Sequence, residues 1–267
     1  VYTVMRDGNA TITKVGSHPM HLFSTASWGK HKAKATNQGR IMIGHNRKAT
    51  LGKVNSANAH PFNHNHIILS HNGTLREDHK KYANTEVDSH AVAIAFAEKG
   101  AEEVLKTLVA AFAFIWWDAK KNKLFAVRND ERPLSLVITE ELNILCSEAW
   151  MAEVLLALAI KKVEKVIDLK PGQLFEFSLD GTFKESAVEL RKPPPVTQGN
   201  WSRGRYPGQY GNWDDMEDDS LPKIVGSTPN GGTTTPFKDA AEALVQQAQR
   251  SVTSLPNEHY KKDDVVL

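Results

Sequence analysis

The sequence has a single cysteine, no long apolar run and almost no excess of charge, and each shortage excludes a class of protein. One thiol, Cys146, cannot form an internal disulfide, so a disulfide-stabilised secreted scaffold is excluded. No apolar run approaches the roughly 20 residues that a membrane-spanning helix needs. The chain has 33 basic and 31 acidic residues, which gives no overall electrostatic reason to expect nucleic acid or an anionic membrane as a partner. We expect a cytoplasmic protein without a signal peptide.

The start of the chain also lacks two features. The first residue is Val1 rather than methionine, and it lies inside an alternating pattern over residues 1–5 that is typical of a strand. No nucleophilic side chain stands at the first position. We infer a fragment whose true beginning is missing.

From residue 1 to about residue 181 the sequence alternates strand-like and helix-like segments, and an apolar fraction of 40% is enough for one sizeable core. An Asp-Gly turn over 6–9 predicts a first hairpin, and Gly100 separates two segments with apolar residues at helical spacing. The predicted strands are 1–5, 10–15, 39–44, 66–70, 111–118, 123–129, 134–139, 142–147, 163–169 and 173–178. The predicted helices are 90–99, 101–109 and 148–159.

Beyond residue 190 the composition changes, beginning with three consecutive prolines. Pro, Gly, Asn, Ser and acidic residues dominate, and such a stretch cannot bury enough apolar surface to offset chain entropy. We therefore divide the chain into a domain over 1–190 and a disordered tail over 191–267. Within the tail, 236–251 is a candidate short docking helix with Ala240, Leu244 and Ala248 on one stripe.

The tail segment 201–213 interleaves Arg203 and Arg205 with tryptophan and tyrosine. Such a pattern can stack on single-stranded nucleic acid. A disordered linker is the simpler interpretation, and it is the one we favour.

Three short pieces of the first domain carry chemistry: 44–50, 59–61 running on to 71–73, and 88–90. Arg47 follows a strand-like run between polar neighbours, so it can project from a strand end and hold a carboxylate bidentately. Alone, it would be an ordinary surface arginine.

Asn72-Gly73 is a favoured sequence for a hairpin turn, and we weigh this interpretation equally with a functional one. The alternative uses the same residues as two donors to an oxyanion, the Asn72 amide and the Gly73 N–H, since glycine lets its backbone approach a ligand. Asp88 stands at a predicted helix start, where its plain role is that of an N-cap. Its carboxylate can also take a substrate ammonium.

Closely spaced histidines at 60, 64, 66 and 71 suggest a metal site, because imidazole is a common zinc ligand. No cysteine or acidic residue lies between Ala59 and Thr74 to complete such a site, so a turn and polar pocket lining are the favoured roles. Cys146 follows an apolar strand, where a lone cysteine is usually a buried small hydrophobe rather than a nucleophile.

In order and spacing, these pieces resemble the class II glutamine amidotransferase domain, over 1 to about 178. Later pieces fit as well: 128–134 is similar to the family's Arg-Asp-x-x-x-Pro-Leu region, 146–148 to its Ala-Ser-Glu, and 170–172 to its Lys-Pro-Gly turn. The resemblance implies an α+β fold, the four-layer α-β-β-α sandwich of two mostly antiparallel sheets of the N-terminal nucleophile (Ntn) hydrolases.

The resemblance also implies roles for individual residues. Asn72 and Gly73 would form the oxyanion hole and count as catalytic. The substrate-binding residues would be Arg47 for the glutamine carboxylate, Asp88 for its amino group, and Thr50 and His71. No cofactor and no metal are implied.

This sequence departs from the family at four places. The family has an aromatic residue where Lys48 stands, a histidine at Leu51 and a glutamate at His90. Its nucleophile is an N-terminal cysteine, whereas this chain starts with Val1, so we do not expect turnover by these 267 residues. Truncation explains the difference most simply, and a natural pseudoenzyme comes second.

The activity implied is hydrolysis of the glutamine side-chain amide to glutamate and ammonia, with a separate enzyme as ammonia acceptor. The alternatives are a catalytically dead glutamine-binding or scaffolding module and, far behind, a histidine-rich metal hydrolase. Neither a membrane nor nucleic acid is an expected partner.

Overall fold

The computed structural model describes residues 1–47 and 52–191. Within these ranges the strands are β1 (Tyr2–Met5), β2 (Ala10–Ile12), β3 (Gly39–Ile43), β4 (Phe62–His64), β5 (Ile67–Leu75), β6 (Ala110–Asp118), β7 (Lys123–Arg128), β8 (Ser135–Ile138), β9 (Asn143–Cys146), β10 (Lys165–Asp168), β11 (Gln173–Phe177) and β12 (Phe183–Ala187). The α-helices are α1 (Pro19–Phe23), α2 (Ala26–Gln38), α3 (Asp88–Lys99), α4 (Ala101–Leu105) and α5 (Ala149–Leu158), and a 3-10 turn spans His79–Lys81.

The strands form three sheets in which every pair of neighbours is antiparallel. The largest has six strands in the order β12-β11-β7-β6-β5-β4, and the other two have the orders β2-β1-β3 and β10-β8-β9. The nine-residue pairing of β5 with β6 is the longest in the large sheet and runs without a register shift. This pairing forms the centre on which the site is built.

The large sheet is buried on both faces. One face packs on α3 and α4, where Leu69 and Phe114 meet Val92, Phe96 and Val104. Side chains alternate across a strand, so Ile68 projects from the opposite face. There it joins a second core with residues of both small sheets, such as Val4 of β1 and Leu136 of β8.

Two further helices cover the outer sides of the small sheets. On α2, His31 is buried and its Nε2 is hydrogen-bonded to Thr3 Oγ1 of β1 at 2.8 Å. On α5, Ala152 and Leu156 pack on Val137 of β8. The layers are thus helix, sheet, sheet and helix, which confirms the predicted α+β sandwich. The second sheet layer is divided into two three-stranded pieces.

Most predicted elements are present with shifted ends. The Asp-Gly turn, the break at Gly100 and the turn at Lys170-Pro171-Gly172 are all found; Gly8, Gly100 and Gly172 have φ values of 81°, 87° and 74°. The second helical segment is shorter than predicted and ends at Leu105. The predicted helix over 236–251 and the proposed tail lie outside the described residues, apart from Arg191.

Two local predictions are wrong. Asn72-Gly73 is not a hairpin turn, because both residues lie inside β5 and pair with β6. The turn falls instead at Asn65, whose φ is 51°, between β4 and β5. His64 and His66 are two residues apart, which predicts that both side chains lie on one face of a strand. Instead His64 ends β4 and His66 lies in the turn, so the two histidines do not share a strand face.

No element was predicted for residues 16–38, where the structure has α1 and α2. The helix α2 begins where Thr25 Oγ1 accepts a hydrogen bond from the Trp28 N–H at 3.1 Å. His31 is its one buried residue, so the helix lacks the apolar stripe by which helices are recognised in sequences. None of the helices in the described part of the chain is long and apolar enough to cross a membrane.

Candidate active site

The predicted oxyanion donors lie in the middle of β5. Asn72 and Gly73 are opposite Ala113 and Phe112 of β6. Phe112 turns its peptide groups away from β5: its N–H donates to Asn129 Oδ1 and its carbonyl accepts from the Asn129 N–H, both at 3.0 Å. In an antiparallel pair, the residue opposite then also directs its peptide groups outward. The Gly73 N–H therefore faces the outer edge of β5.

Leu75 supports this orientation, since it stands two residues further along the same strand. Its N–H donates at 3.0 Å to Oδ2 of Asp88, which lies beyond that outer edge. The strand β4 pairs with β5 only from Ile67 to Leu69, so no described strand covers the edge at Gly73. A backbone N–H at an uncovered edge is available to a ligand oxygen.

Only glycine fits at position 73. A Cβ there would lie 1.9 Å from the Ala111 carbonyl oxygen and 2.6 Å from His71 Nε2, and the φ of Gly73 is 150°. The missing side chain leaves the space that the His71 ring occupies, two residues away on the same face of the strand. A structural need for glycine thus coincides with the exposed N–H.

The Asn72 side chain projects from the opposite face of β5. That face carries Ile68, which packs in the core between the sheets, whereas Asn72 is exposed. Asn72 directly precedes Gly73 in β5, so the two residues predicted from the sequence as donors are neighbours in the strand.

His71 is fully engaged with the protein. Its Nε2–H donates to the Ala111 carbonyl at 3.2 Å, and its Nδ1 accepts from the Ser89 hydroxyl at 2.9 Å. The carbonyl can only accept, which assigns the neutral Nε2–H form. Burial lowers the pKa of His71 to about 4, although the nearby Asp88 carboxylate acts in the other direction. His71 ties β5 to β6 and to the first turn of α3.

Asp88 is the first residue of α3 and is only 3% exposed. Val87 occupies the N-cap position without a side-chain cap, so the N-cap role predicted for Asp88 is not found. Instead, Oδ1 accepts from the Ser89 N–H at 2.7 Å while Oδ2 accepts from Leu75. An ionised carboxylate has about four acceptor positions, so some acceptor capacity remains for a ligand.

Arg47 follows β3 and lies near two histidines, the half-buried His45 and the buried His60. The rings of His45 and His60 have centroids 4.1 Å apart. Burial, then the neighbouring His71 and Arg47 charges, lower the pKa of His45 to about 4, and burial with the same neighbours keeps the pKa of His60 well below its usual value. Arg47, the two histidines and His71 of β5 are therefore electrostatic neighbours. Thr50 lies outside the described residues.

The loop that returns from the Arg47 region is anchored beside Asp88. The Asn58 amide donates to the Lys53 carbonyl at 3.0 Å and to Glu86 Oε2 at 2.7 Å. A Cβ on Gly52 would come within 2.9 Å of the Val87 side chain. The described part of this loop, from Gly52 to Asn58, thus contacts Glu86 and Val87, the two residues that directly precede Asp88.

Two features of the region were not predicted from the sequence. Neither ring nitrogen of His60 has a hydrogen-bond partner in the structure, although the residue is buried. Ser70, next to His71, also has a buried hydroxyl without a partner. The spacing of His60 and Ser70 in the sequence does not predict that their side chains are buried without a partner. Burial and hydrogen bonding depend on how the strands β1 to β5 pack together.

The surroundings of Cys146 do not suit a nucleophile. It ends β9 in the small sheet β10-β8-β9, packs beside Val137 and Ala152, and burial raises its pKa, which disfavours the thiolate. Among the described residues, no three His, Cys, Asp or Glu side chains are grouped to hold a metal ion.

Comparison with known proteins matches this chain to one family. The family described as "Glutamine amidotransferase domain" matches residues 19–180. Glutamine–fructose-6-phosphate aminotransferase (isomerizing) of Aquifex aeolicus is 30% identical over 197 residues, which cover 66% of this chain and 31% of the relative. The Lactococcus lactis enzyme of the same name is 28% identical over 131 residues, covering 42% of this chain and 22% of the relative. The chain thus spans less than a third of these relatives.

Among solved structures, the glutamine phosphoribosylpyrophosphate amidotransferase of B. subtilis superposes with a TM-score of 0.41 at 18% identity, covering 54% of this chain and 34% of that one. The family match extends over more than half of the chain and includes β3, β5 and α3, which carry the candidate site. The chain belongs to the glutamine amidotransferase domain family, in its class II, Ntn form.

Proposed function

We propose that this domain binds glutamine at the outer edge of β5 and that, with the cysteine nucleophile of its family, it hydrolyses the side-chain amide to glutamate and ammonia. One observation carries the proposal: the Gly73 N–H is directed to an uncovered strand edge beside the exposed Asn72 amide. Two adjacent donors of this kind suit the oxyanion of acyl transfer.

In this reaction a thiolate attacks the amide carbon and the carbonyl oxygen becomes an oxyanion. The Asn72 amide and the Gly73 N–H stabilise it, and the nitrogen leaves as ammonia once it is protonated. Water then hydrolyses the thioester, which releases glutamate and restores the thiol. Each donor to the oxyanion is worth about 2.7–4 kcal/mol of transition-state stabilisation.

Specificity for glutamine would come from its charged end. Arg47 binds the α-carboxylate and Asp88 the α-ammonium, with Thr50 as a further contact, so that other amides would leave these groups unpaired. Because both of its ring nitrogens already bind protein groups, we assign His71 to positioning: it holds β5, β6 and the Asp88 turn in register.

The 267 residues are expected to bind glutamine without hydrolysing it. Their one thiol, Cys146, lies in a different sheet from the donors and has a raised pKa. The ammonia acceptor would be a separate enzyme or domain. A glutamine-binding module without catalysis is the second candidate, because the same geometry would serve binding alone.

Calorimetric titration with L-glutamine tests the binding proposal. We expect binding by the wild-type chain and its loss in Arg47→Ala, with the melting temperature nearly unchanged. The matched control is Arg40→Ala, an exposed arginine of β3, which should bind as wild type. Wild-type affinity in Arg47→Ala would remove Arg47 from the site. Ammonia release by the full-length protein then separates the two candidates: release supports the enzyme, and binding without release supports the module.

A further inference from the structure

The helix α5 is apolar on both sides although it lies in an outer layer of the domain. Its inner side, Ala152 and Leu156, packs on Val137. Its outer side consists of Met151, Leu155 and Leu158, at positions i, i+4 and i+7. A surface helix normally has polar residues on the side away from the core, and a helix that is apolar all round is a buried one.

The outer side of α5 is nevertheless open to solvent. Leu155 is 67% exposed, Leu158 62% and Met151 42%. Ile160 directly after the helix is 65% exposed, and Val166 of β10 lies opposite Val137 on the sheet face that α5 covers. We call these five residues the α5 stripe. Met151, Leu155 and Leu158 lie along one side of α5, and an exposed apolar side of this kind marks a surface that another element covers.

The same chain contains a segment with a complementary side. Residues 236–251 have Ala240, Ala241, Leu244, Val245 and Ala248 at helical spacing. Small alanines flanking one leucine can interlock with the larger leucines and methionine of α5, because helix pairs pack the ridges of one helix into the grooves of the other.

The order of charges along α5 and along 236–251 favours an antiparallel arrangement of the two segments. In α5 and its flanks the acidic residues come first, Glu148 and Glu153, and the basic residues Lys161 and Lys162 follow its end. In 236–251 the order of net charge is similar: Lys238, Asp239 and Glu242 give the first half a charge of −1, and Arg250 gives the second half a charge of +1. Two helices with the same charge order attract each other when they run antiparallel, which also opposes their dipoles.

The connection between the two is long enough. Arg191, the last described residue, is followed by 44 residues before Pro236, which span up to roughly 145 Å when extended. A compact domain of about 190 residues is only about 40 Å across. Tethering also gives the segment a millimolar effective concentration at α5, so a weak contact suffices.

We propose that the α5 stripe is the docking site of the chain's own segment 236–251, which binds it as an antiparallel helix with Leu244 opposite Leu155. This register places Ala248 opposite Met151 and Ala241 opposite Leu158.

Disulfide trapping in the full chain tests both the contact and its direction, in a Cys146→Ala background. Met151→Cys with Ala248→Cys should form an intramolecular disulfide at least about tenfold faster than the collision control, because tethered groups held in register react at high effective concentration. Met151→Cys with Ala241→Cys should react at the control rate, since the antiparallel register separates these positions beyond disulfide reach. The collision control is Lys184→Cys with Ala248→Cys, which uses an exposed residue of β12.

A second variant asks whether the apolar stripe drives the contact. Leu155→Glu combined with Leu158→Glu should abolish the fast Met151–Ala248 disulfide, and these exposed positions tolerate a charge without unfolding the domain. Equal rates for all three cysteine pairs would overturn the proposal. So would disulfide-linked dimers that become faster with protein concentration, because they would show that a second copy covers the stripe.

Discussion

The Asp88 carboxylate accepts a hydrogen bond from the Leu75 N–H at 3.0 Å, and this contact joins the first turn of α3 to the outer edge of β5. The Gly73 N–H faces the same edge two residues earlier. A charged group and an oxyanion donor separated by two residues of one strand are held at a fixed spacing by the sheet. In our proposal the carboxylate binds the amino group of glutamine and the Gly73 N–H binds its reacting carbonyl.

Gly73→Ala should destabilise the domain by about 2 kcal/mol or more, because the new Cβ would lie 1.9 Å from the Ala111 oxygen and the φ is positive. Urea unfolding followed by circular dichroism measures this. The matched control is Gly29→Ala in α2, where no atom lies within 4 Å of the added carbon; it should stabilise by about 0.4–1 kcal/mol. Equal stabilities for the two variants would contradict the close approach at Gly73.

Asp88→Ala should lower the free energy of unfolding by about 1–3 kcal/mol, since the Leu75 and Ser89 N–H groups would lose their buried acceptor. Glu98→Ala, an exposed change on the same helix, should stay within about 0.5 kcal/mol of wild type. Hydrogen exchange at the Leu75 amide measures the effect on this hydrogen bond directly. Unchanged protection of that amide in Asp88→Ala would show that the contact does not hold the strand edge.

Stability should fall on acidification from about pH 6.5 to about pH 4. Burial lowers the pKa of His71 and of His45 to about 4, whereas in the unfolded chain it is near 6.5. In this window the unfolded chain takes up protons and the folded domain does not. Each histidine therefore lowers the free energy of unfolding by about 1.4 kcal/mol for every pH unit of acidification. Above about pH 6.5 this contribution is flat.

Urea midpoints measured across that range in His45→Gln should show a shallower pH dependence than wild type. His21→Gln, an exposed histidine of α1, serves as the control and should retain the wild-type slope. A His45→Gln slope equal to that of the control would mean that folding does not lower the pKa of His45.

Asn72→Ala tests the oxyanion role separately from binding. Asn72 is exposed, so stability should change by less than about 0.5 kcal/mol. In the full-length protein, kcat for ammonia release should fall by about 10²–10³-fold with KM for glutamine little changed, as expected for a group that acts only in the transition state. Asn63→Ala on the neighbouring β4 is the control. A rise in KM alone would reassign Asn72 to substrate binding.

Local patterns predicted much of this fold. Alternation identified β1, a short apolar run identified β3, helical spacing identified α3 and α4, and glycines with positive φ marked the turns. These signals succeed because the sides of these elements that pack on a core carry apolar residues at the period of the element. The helix α2 was not predicted, because His31 is its only buried residue. Its sequence therefore has too few apolar residues to show a helical period.

The dipeptide Asn72-Gly73 shows where local reasoning stops. The same two residues suit a hairpin turn and a strand, and nine continuous pairs with β6 favour the strand. Asp88 is a similar case. Its place at a helix start predicts an N-cap, but its carboxylate accepts a hydrogen bond from the Leu75 N–H of β5 instead. Both outcomes depend on partners about 15–40 residues away in the chain.

Residue types and their spacing were enough to predict the family pattern, the α+β class and Asn72, Gly73, Asp88 and Arg47 as candidate site residues. The three-dimensional arrangement was needed to show that the Gly73 N–H faces outward, that both ring nitrogens of His71 bind protein groups, and that α5 leaves an apolar side exposed. Residue type and spacing encode local conformation, whereas the direction of a peptide group and the burial of a side chain are set by distant segments that pack beside it.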